Sequence, residues 1–350
     1  MPGRKPAKRP ARKAPAVIRR RSASAPVIDF HTHIFVPEVN DYVKQHRPPE
    51  ATEYKLVDGY LRGEAAQRKR HPRPGMDPVR ARLADLDEFG IDMQVVFCHV
   101  AQYCYWAPVE DGVRLTRLGN DRLAEFVSKH PDRFIGMGMA PLQDTQAAIA
   151  ELERAVNTLG LKAIAVNTHV DGTELGDQRL WPFWARVEQL HVPVFIHPSG
   201  FKHPRFEKHL MWNGVGQPIE EAIALSSLMY EGVLDRFPKL KFGIAHGGGF
   251  LPYYAGRVDR NYRNRPDQTP NIKHEPSVYM KRLFYDTCVY NPDMLEFLAA
   301  KVGADRIVIG GDYPVGEDNP AAFVKKAKLS SKEKRMILGE NAARILGIRV

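Results

Sequence analysis

The stretch Val27–Glu38 reads VIDFHTHIFVPE and places His31 and His33 two residues apart at the end of a short apolar run. Successive side chains of a strand point to opposite faces, so positions i and i+2 share one face. The two imidazoles therefore project the same way. Other polar residues hold equivalent places further along. His169 follows LKAIAVNT, His197 follows VPVFI, His246 follows LKFGIA, and Asp312 follows DRIVIGG. A single histidine is more often a satisfied structural residue than a ligand, and most of the 13 histidines need no function. Several at matching ends of apolar runs are another matter, because strand packing in a barrel favours Val, Ile and Leu. Three imidazoles and one carboxylate suit one divalent ion of borderline softness. Zinc is the first choice, with manganese, iron or cobalt as alternatives. Such an ion, with one position left open, lowers the pKa of a bound water to roughly 7.

The elements that must carry these side chains follow from the alternation of short apolar runs with helical patterns. Strands are expected over Val27–Phe30, Met93–Phe97, Phe134–Met139, Leu161–Val166, Val194–Ile196, Lys241–Ala245, Leu283–Asp286 and Arg306–Ile309. Helices are expected between them, for instance over Pro78–Phe89, where Val79, Leu83, Leu86 and Phe89 form one stripe and Gly90 is a stop signal. Eight strands alternating with helices predict an α/β fold, a parallel (β/α)8 TIM barrel. An open doubly wound sheet would need a glycine-rich turn after the first strand, and HTH occupies that place. Residues 36–76, rich in Pro, Gly and charge, read as a small insertion after strand one, a lid or substrate wall at the barrel mouth.

The chain has 350 residues and a formal net charge of +10. That charge is unevenly placed. Residues 1–28 hold nine Lys or Arg and no acid, leaving 42 basic and 41 acidic residues elsewhere. Residues 1–26 read as a disordered basic tail, solubilising or weakly polyanion-binding, ahead of one metal-dependent domain over 27–350. No run reaches the length of a membrane span, and no membrane partner is expected. Three cysteines, Cys98, Cys104 and Cys288, are too few and too scattered for a disulfide framework. They suit a reducing interior and a cytoplasmic location, with Cys98 and Cys288 as small core residues.

Taken together, DFHTHIFVPE, DPVRARLADLDEFGIDMQVV, HPDRFIGMGMAPLQD, FPKLKFGIAHGGGFLPYYAGRVDR and IVIGGDYP resemble the amidohydrolase superfamily, in its muconate-semialdehyde decarboxylase branch. The resemblance spans roughly residues 27–350. It implies that His31, His33, His197 and Asp312 bind one metal, and that His246 is the acid/base that activates the water on it. It implies that Arg257, in AGRVDR, holds a substrate carboxylate from across a homodimer interface. Many superfamily members bridge two metals with a carboxylated lysine from strand four. Lys162 stands at the wrong end of that strand, which points to a mononuclear site. Where the branch reads HPWD, this chain reads His197-Pro198-Ser199-Gly200. The family's lid arginine has three candidate counterparts, Arg68, Arg70 and Arg73. His169 is a further candidate for contacting substrate. The expected activity is non-oxidative decarboxylation of an aromatic or unsaturated carboxylic acid. The alternatives are hydrolysis of a C–C, amide or lactone bond, hydration of a C=C bond, and a binding protein with a relic site.

Overall fold

In a computed structural model of the chain, the structure describes residues 25–48, 78–201 and 203–348, with the isolated positions 62, 63, 65 and 69. The basic tail, but for its last two residues, lies outside the described residues. So does most of the 36–76 insertion, with Arg68, Arg70 and Arg73. The start of the insertion is described and forms a helix, α1 (Pro37–His46), which follows the first strand directly.

The eight expected strands all form. They are β1 (Ile28–Ile34), β2 (Met93–Cys98), β3 (Phe134–Met139), β4 (Ala163–Asn167), β7 (Val194–His197), β8 (Phe242–Ile244), β9 (Phe284–Asp286) and β10 (Ile307–Val308). Between β4 and β7 lies a separate antiparallel hairpin, β5 (His169–Val170) and β6 (Thr173–Glu174). The eight strands pair in parallel in the order β1-β2-β3-β4-β7-β8-β9-β10. The last meets the first through Phe30 N–H to Ile309 C=O (2.8 Å), His33 N–H to Tyr313 C=O (2.8 Å) and a parallel bridge between Thr32 and Tyr313. The sheet is thus closed into a TIM barrel.

Every residue of β1, β2, β3 and β4 is buried. Helices cover one face of such strands and barrel packing the other, which is why the apolar runs are nearly continuous. Helices follow the strands in α/β order. Those used below are α2 (Pro78–Phe89), α3 (Val109–Lys129), α4 (Thr145–Asn157), α5 (Trp181–Leu190), α6 (Gln217–Tyr230), α7 (Ala255–Asn264) and α8 (Pro292–Val302). In α3 the fully buried Leu115 and Leu123 fall on one face, each contributing about 1.5–3 kcal/mol by burial. Asn120 on the same helix exchanges hydrogen bonds with the backbone of Met139 and donates to Glu151 of α4, so β3 and two helices share one buried polar clamp. Asp144 caps α4 by accepting from Ala147 N–H.

The boundaries differ from the sequence expectation in one place that matters for chemistry. β1 does not give way to a loop at Phe30 but runs through both histidines to Ile34, with an irregularity in its pairing with β2 between Asp29 and Thr32. Its histidines are therefore held by a strand rather than by a loop.

Candidate metal centre

His31 and His33 leave β1 on the same side, with their Nε2 atoms 3.2 Å apart. His197 ends β7, and Asp312 follows β10. One donor atom from each of His31, His33, His197 and Asp312 lies within 4.8 Å of the others. Asp312 Oδ1 is 2.9 Å from His33 Nε2 and 3.3 Å from His31 Nε2. His246 closes the group, with its Nε2 3.9 Å from Asp312 Oδ2. Residues from four strand ends, distant in the chain, meet on the C-terminal rim of the barrel.

The backbone is bent to achieve this. His246 (φ 49°) and Asp312 (φ 52°) both occupy the left-handed region, which L side chains seldom adopt. Each stands where a strand stops, so the turn redirects its side chain across the mouth. The glycines that follow in the AHGGG turn, Gly247, Gly248 and Gly249, all have positive φ as well. A Cβ on Gly249 would stand 2.2 Å from the carbonyl oxygen of Pro218.

Buried partners fix which nitrogen of the His31 and His197 rings faces inward. His31 Nδ1–H donates to Asp286 Oδ2 (2.6 Å), leaving Nε2 for the centre. Asp286 in turn accepts from the backbone N–H of Gly247 and of Cys288. His197 Nδ1–H donates to the carbonyl of Pro198 (2.9 Å), and its buried Nε2 has no hydrogen-bond partner among the described residues. Asp29 accepts from the N–H of Gly311 and of His31, tying β1 to the segment that carries Asp312. Arg82 of α2 donates to the carbonyl of His33 and lies 4.5 Å from the Tyr313 ring centroid.

The electrostatics agree with the geometry. Burial disfavours a charged His31, but Asp312 and then Asp286 outweigh it and hold its pKa up at about 9. Burial pushes His33 down to about 4 and His197 well below the ordinary imidazole value. Burial would raise Asp312, yet His31, His246 and His33 around it keep its carboxyl well below the usual range. His33 and His197 are thus neutral imidazoles and Asp312 an ionised acid, while His31 keeps a proton that a bound cation would displace. A buried, orphaned Nε2 on His197 and two imidazole Nε2 atoms 3.2 Å apart call for a shared cation, and the N3O donor set fits one.

Beside the centre is a cavity of about 490 Å³ whose lining includes His246, Asp312, Cys288, Gln217, Phe250 and Tyr290. A larger groove of about 1020 Å³ runs between the β5–β6 hairpin and α6 and carries none of the four donors. Two expected substrate contacts are not brought to the cavity. His169 sits in the hairpin, where Nδ1 accepts from Gly172 N–H and Nε2 lies 3.6 Å from Glu220. Arg257 is exposed on α7 and does not line the cavity of its own chain. Cys288 is more than a core residue: it lines the cavity, with Sγ 3.8 Å from His31 Nδ1. Sequence reasoning also missed Asp286 and Glu221. Asp286 was visible only as the last residue of a strand. Glu221 was one of two consecutive acids on an amphipathic helix, a pattern that ordinarily marks a solvated face.

This combination of a closed barrel, a two-histidine first strand and a late aspartate defines a class of metal-dependent enzyme, and the sequence profile of the amidohydrolase family matches residues 28–348. The chain belongs to that family. It is 35% identical over 273 residues to a 2-amino-3-carboxymuconate-6-semialdehyde decarboxylase of Dictyostelium discoideum, covering 76% of each chain. It is 29% identical to a 2-keto-4-carboxy-3-hexenedioate hydratase of Sphingobium sp., covering 76% of this chain and 80% of that one. Among solved structures, 5-carboxyvanillate decarboxylase from Sphingomonas paucimobilis superposes with a TM-score of 0.84 at 26% identity, over 93% of this chain and all of that one. A dihydroxybenzoic acid decarboxylase from Polaromonas sp., with bound manganese and 2-nitroresorcinol, gives 0.76 at 25% identity, over 92% of this chain and 97% of that one.

Proposed function

We propose that this protein is a non-oxidative decarboxylase of an aromatic or unsaturated carboxylic acid, with one divalent ion held by His31, His33, His197 and Asp312. The observation that carries the reading is His246, poised beside the four donors and facing a cavity with an apolar rim. Relatives and solved neighbours named as decarboxylases support it, and so does the manganese in one of them. Zinc remains our first choice of ion on the donor chemistry, with manganese supported by that neighbour.

The bound ion supplies a Lewis-acidic anchor for the oxygens of the substrate. The chain does the rest. Phe250, Val289 and Met294 receive the apolar body of the acid, and Gln217 offers an amide to a polar substituent. His246 as donor carries a proton on each ring nitrogen, keeps the one at Nδ1 and delivers the one at Nε2 to the carbon that loses its carboxylate. The C–C bonding pair stays on that carbon, the new C–H bond takes the proton, and CO2 leaves, so charge and atoms balance. We further propose a homodimer in which Arg257, exposed in its own chain, holds the substrate carboxylate in the neighbouring site. None of the three cysteines is in a disulfide and all are buried, and on that ground we keep the cytoplasm as the proposed location.

The test is a panel of aromatic and unsaturated carboxylic acids offered to metal-loaded protein, with CO2 release measured. His246→Ala should retain its metal and lose about 10²–10⁴-fold in turnover, the range of general acid–base catalysis. Undiminished turnover in that variant would remove His246 from the reaction. The hydratase relative motivates one second reading, addition of water to a C=C bond at the same site. A water adduct formed without CO2 would establish that reading instead.

A further inference from the structure

We infer that Glu221 is the positioning residue of His246, holding the ring by its Nδ1–H and so turning Nε2, the nitrogen that exchanges the reacting proton, to the cavity. The inference rests on His246 being the proton carrier proposed above. Glu221 lies on α6, an element remote from the strand end that bears His246, and its side chain is fully buried. Its Oε1 is 2.5 Å from His246 Nδ1. Burial pushes the Glu221 carboxyl up to about 7, so above that pH it is ionised and can only accept, and the proton between them is the imidazole's. That leaves Nε2 as the atom facing Asp312, 3.9 Å away.

Other groups near the ring are committed elsewhere. Asp286 spends one oxygen on His31 and the other on two backbone N–H groups. Glu220, the preceding residue, turns away to accept from Thr168 Oγ1 at 2.8 Å. The contact between α6 and the histidine loop is also tight. A Cβ on Gly249 would come within 2.2 Å of the Pro218 carbonyl oxygen and 3.0 Å of Glu221 Oε2. Only a glycine lets the loop lie against the first turn of α6 with the Glu221 carboxylate under the His246 ring. A histidine whose outer nitrogen carries the chemistry needs its inner nitrogen fixed in this way, or both tautomer and ring orientation are lost.

The experiment uses full-length, zinc-loaded protein labelled with ¹⁵N-histidine, with the His246 signals assigned by their loss in His246→Asn. The wild type should show His246 protonated at Nδ1. In Glu221→Leu that preference should be lost, and kcat should fall by about tenfold or more while KM stays within about twofold. Glu221→Gln should lie between, because its amide oxygen can still accept. It carries the test if the leucine variant does not fold. Glu220→Gln is the matched control and should leave the His246 signal in place. An unmoved His246 tautomer in the Glu221 variants, or loss of their zinc, would overturn the inference. If the wild type releases no CO2 from any acid, the decarboxylase reading fails while the tautomer still reports on Glu221. CO2 release with an unmoved His246 signal sinks the positioning role alone.

Discussion

His31 shows how little of a metal ligand is in the ligand itself. Its Nε2 points to the centre because its Nδ1–H is held by Asp286, and Asp286 is held by the loop after β8 and the N–H of Cys288. Groups behind a ligand typically change metal affinity by about 10–100-fold when removed. Asp286→Asn keeps the shape but loses the charge that steadies the Nδ1–H. Its expected outcome is a metal dissociation constant raised by about that factor, read by competition with a chromogenic chelator. Unchanged affinity would mean that the strand alone orients His31. The four donors were legible in the sequence because each is a polar residue where an apolar run stops. Asp286 and Glu221 were not, because a carboxylate within a strand or a helix has no pattern of its own. What makes either functional is a partner 255 or 25 residues away. The position of Arg257 was readable as an arginine on a helix, but the use proposed for it depends on a second chain.

At the scale of elements, the eight strands were readable because buried parallel strands are nearly continuous in Val, Ile, Phe and Met, and because helical stripes separate them. The end of β1 was misplaced for a physical reason. Two imidazoles look like the end of a strand when burial is judged by apolarity, yet His31 and His33 are as buried as Ile28. Partners in the centre replace the water they would otherwise need. The hairpin β5–β6 was missed because its strands are two residues each, too short for any alternation to register. β1 is also braced from the far end of the chain. At Gly339, in the turn Met336–Glu340, a Cβ would lie 1.7 Å from the carbonyl oxygen of Pro26. Gly339→Ala therefore has to displace either the entry to β1 or the C-terminal helix. The expected cost is about 1–3 kcal/mol of stability, seen as a lower midpoint in denaturant at unchanged slope. A variant as stable as the wild type would show that this junction yields freely.

For the whole molecule, the proposed reaction calls for a positive side chain at the barrel rim to hold the substrate carboxylate. Arg82 is nearby but is engaged with the His33 carbonyl and Gln94. Arg257 is exposed on α7, beyond the cavity of its own chain and three residues after the exposed Tyr254. A two-fold pairing that brings this region of one chain to the cavity of another would give each site an arginine from its partner, as a symmetric dimer requires both sites to be equivalent. The pairing makes a prediction that a monomer cannot meet. Arg257→Ala and His246→Ala should each be nearly inactive as homodimers. Mixed, unfolded and refolded together in equal amounts, they should recover about a quarter of wild-type turnover. Half of the dimers would then be mixed, and each would hold one site with both residues intact beside one with neither. Recovery at that level, with sedimentation showing dimers throughout, places Arg257 in trans. Activity no higher than the average of the two variants places it in its own chain's site or outside the reaction.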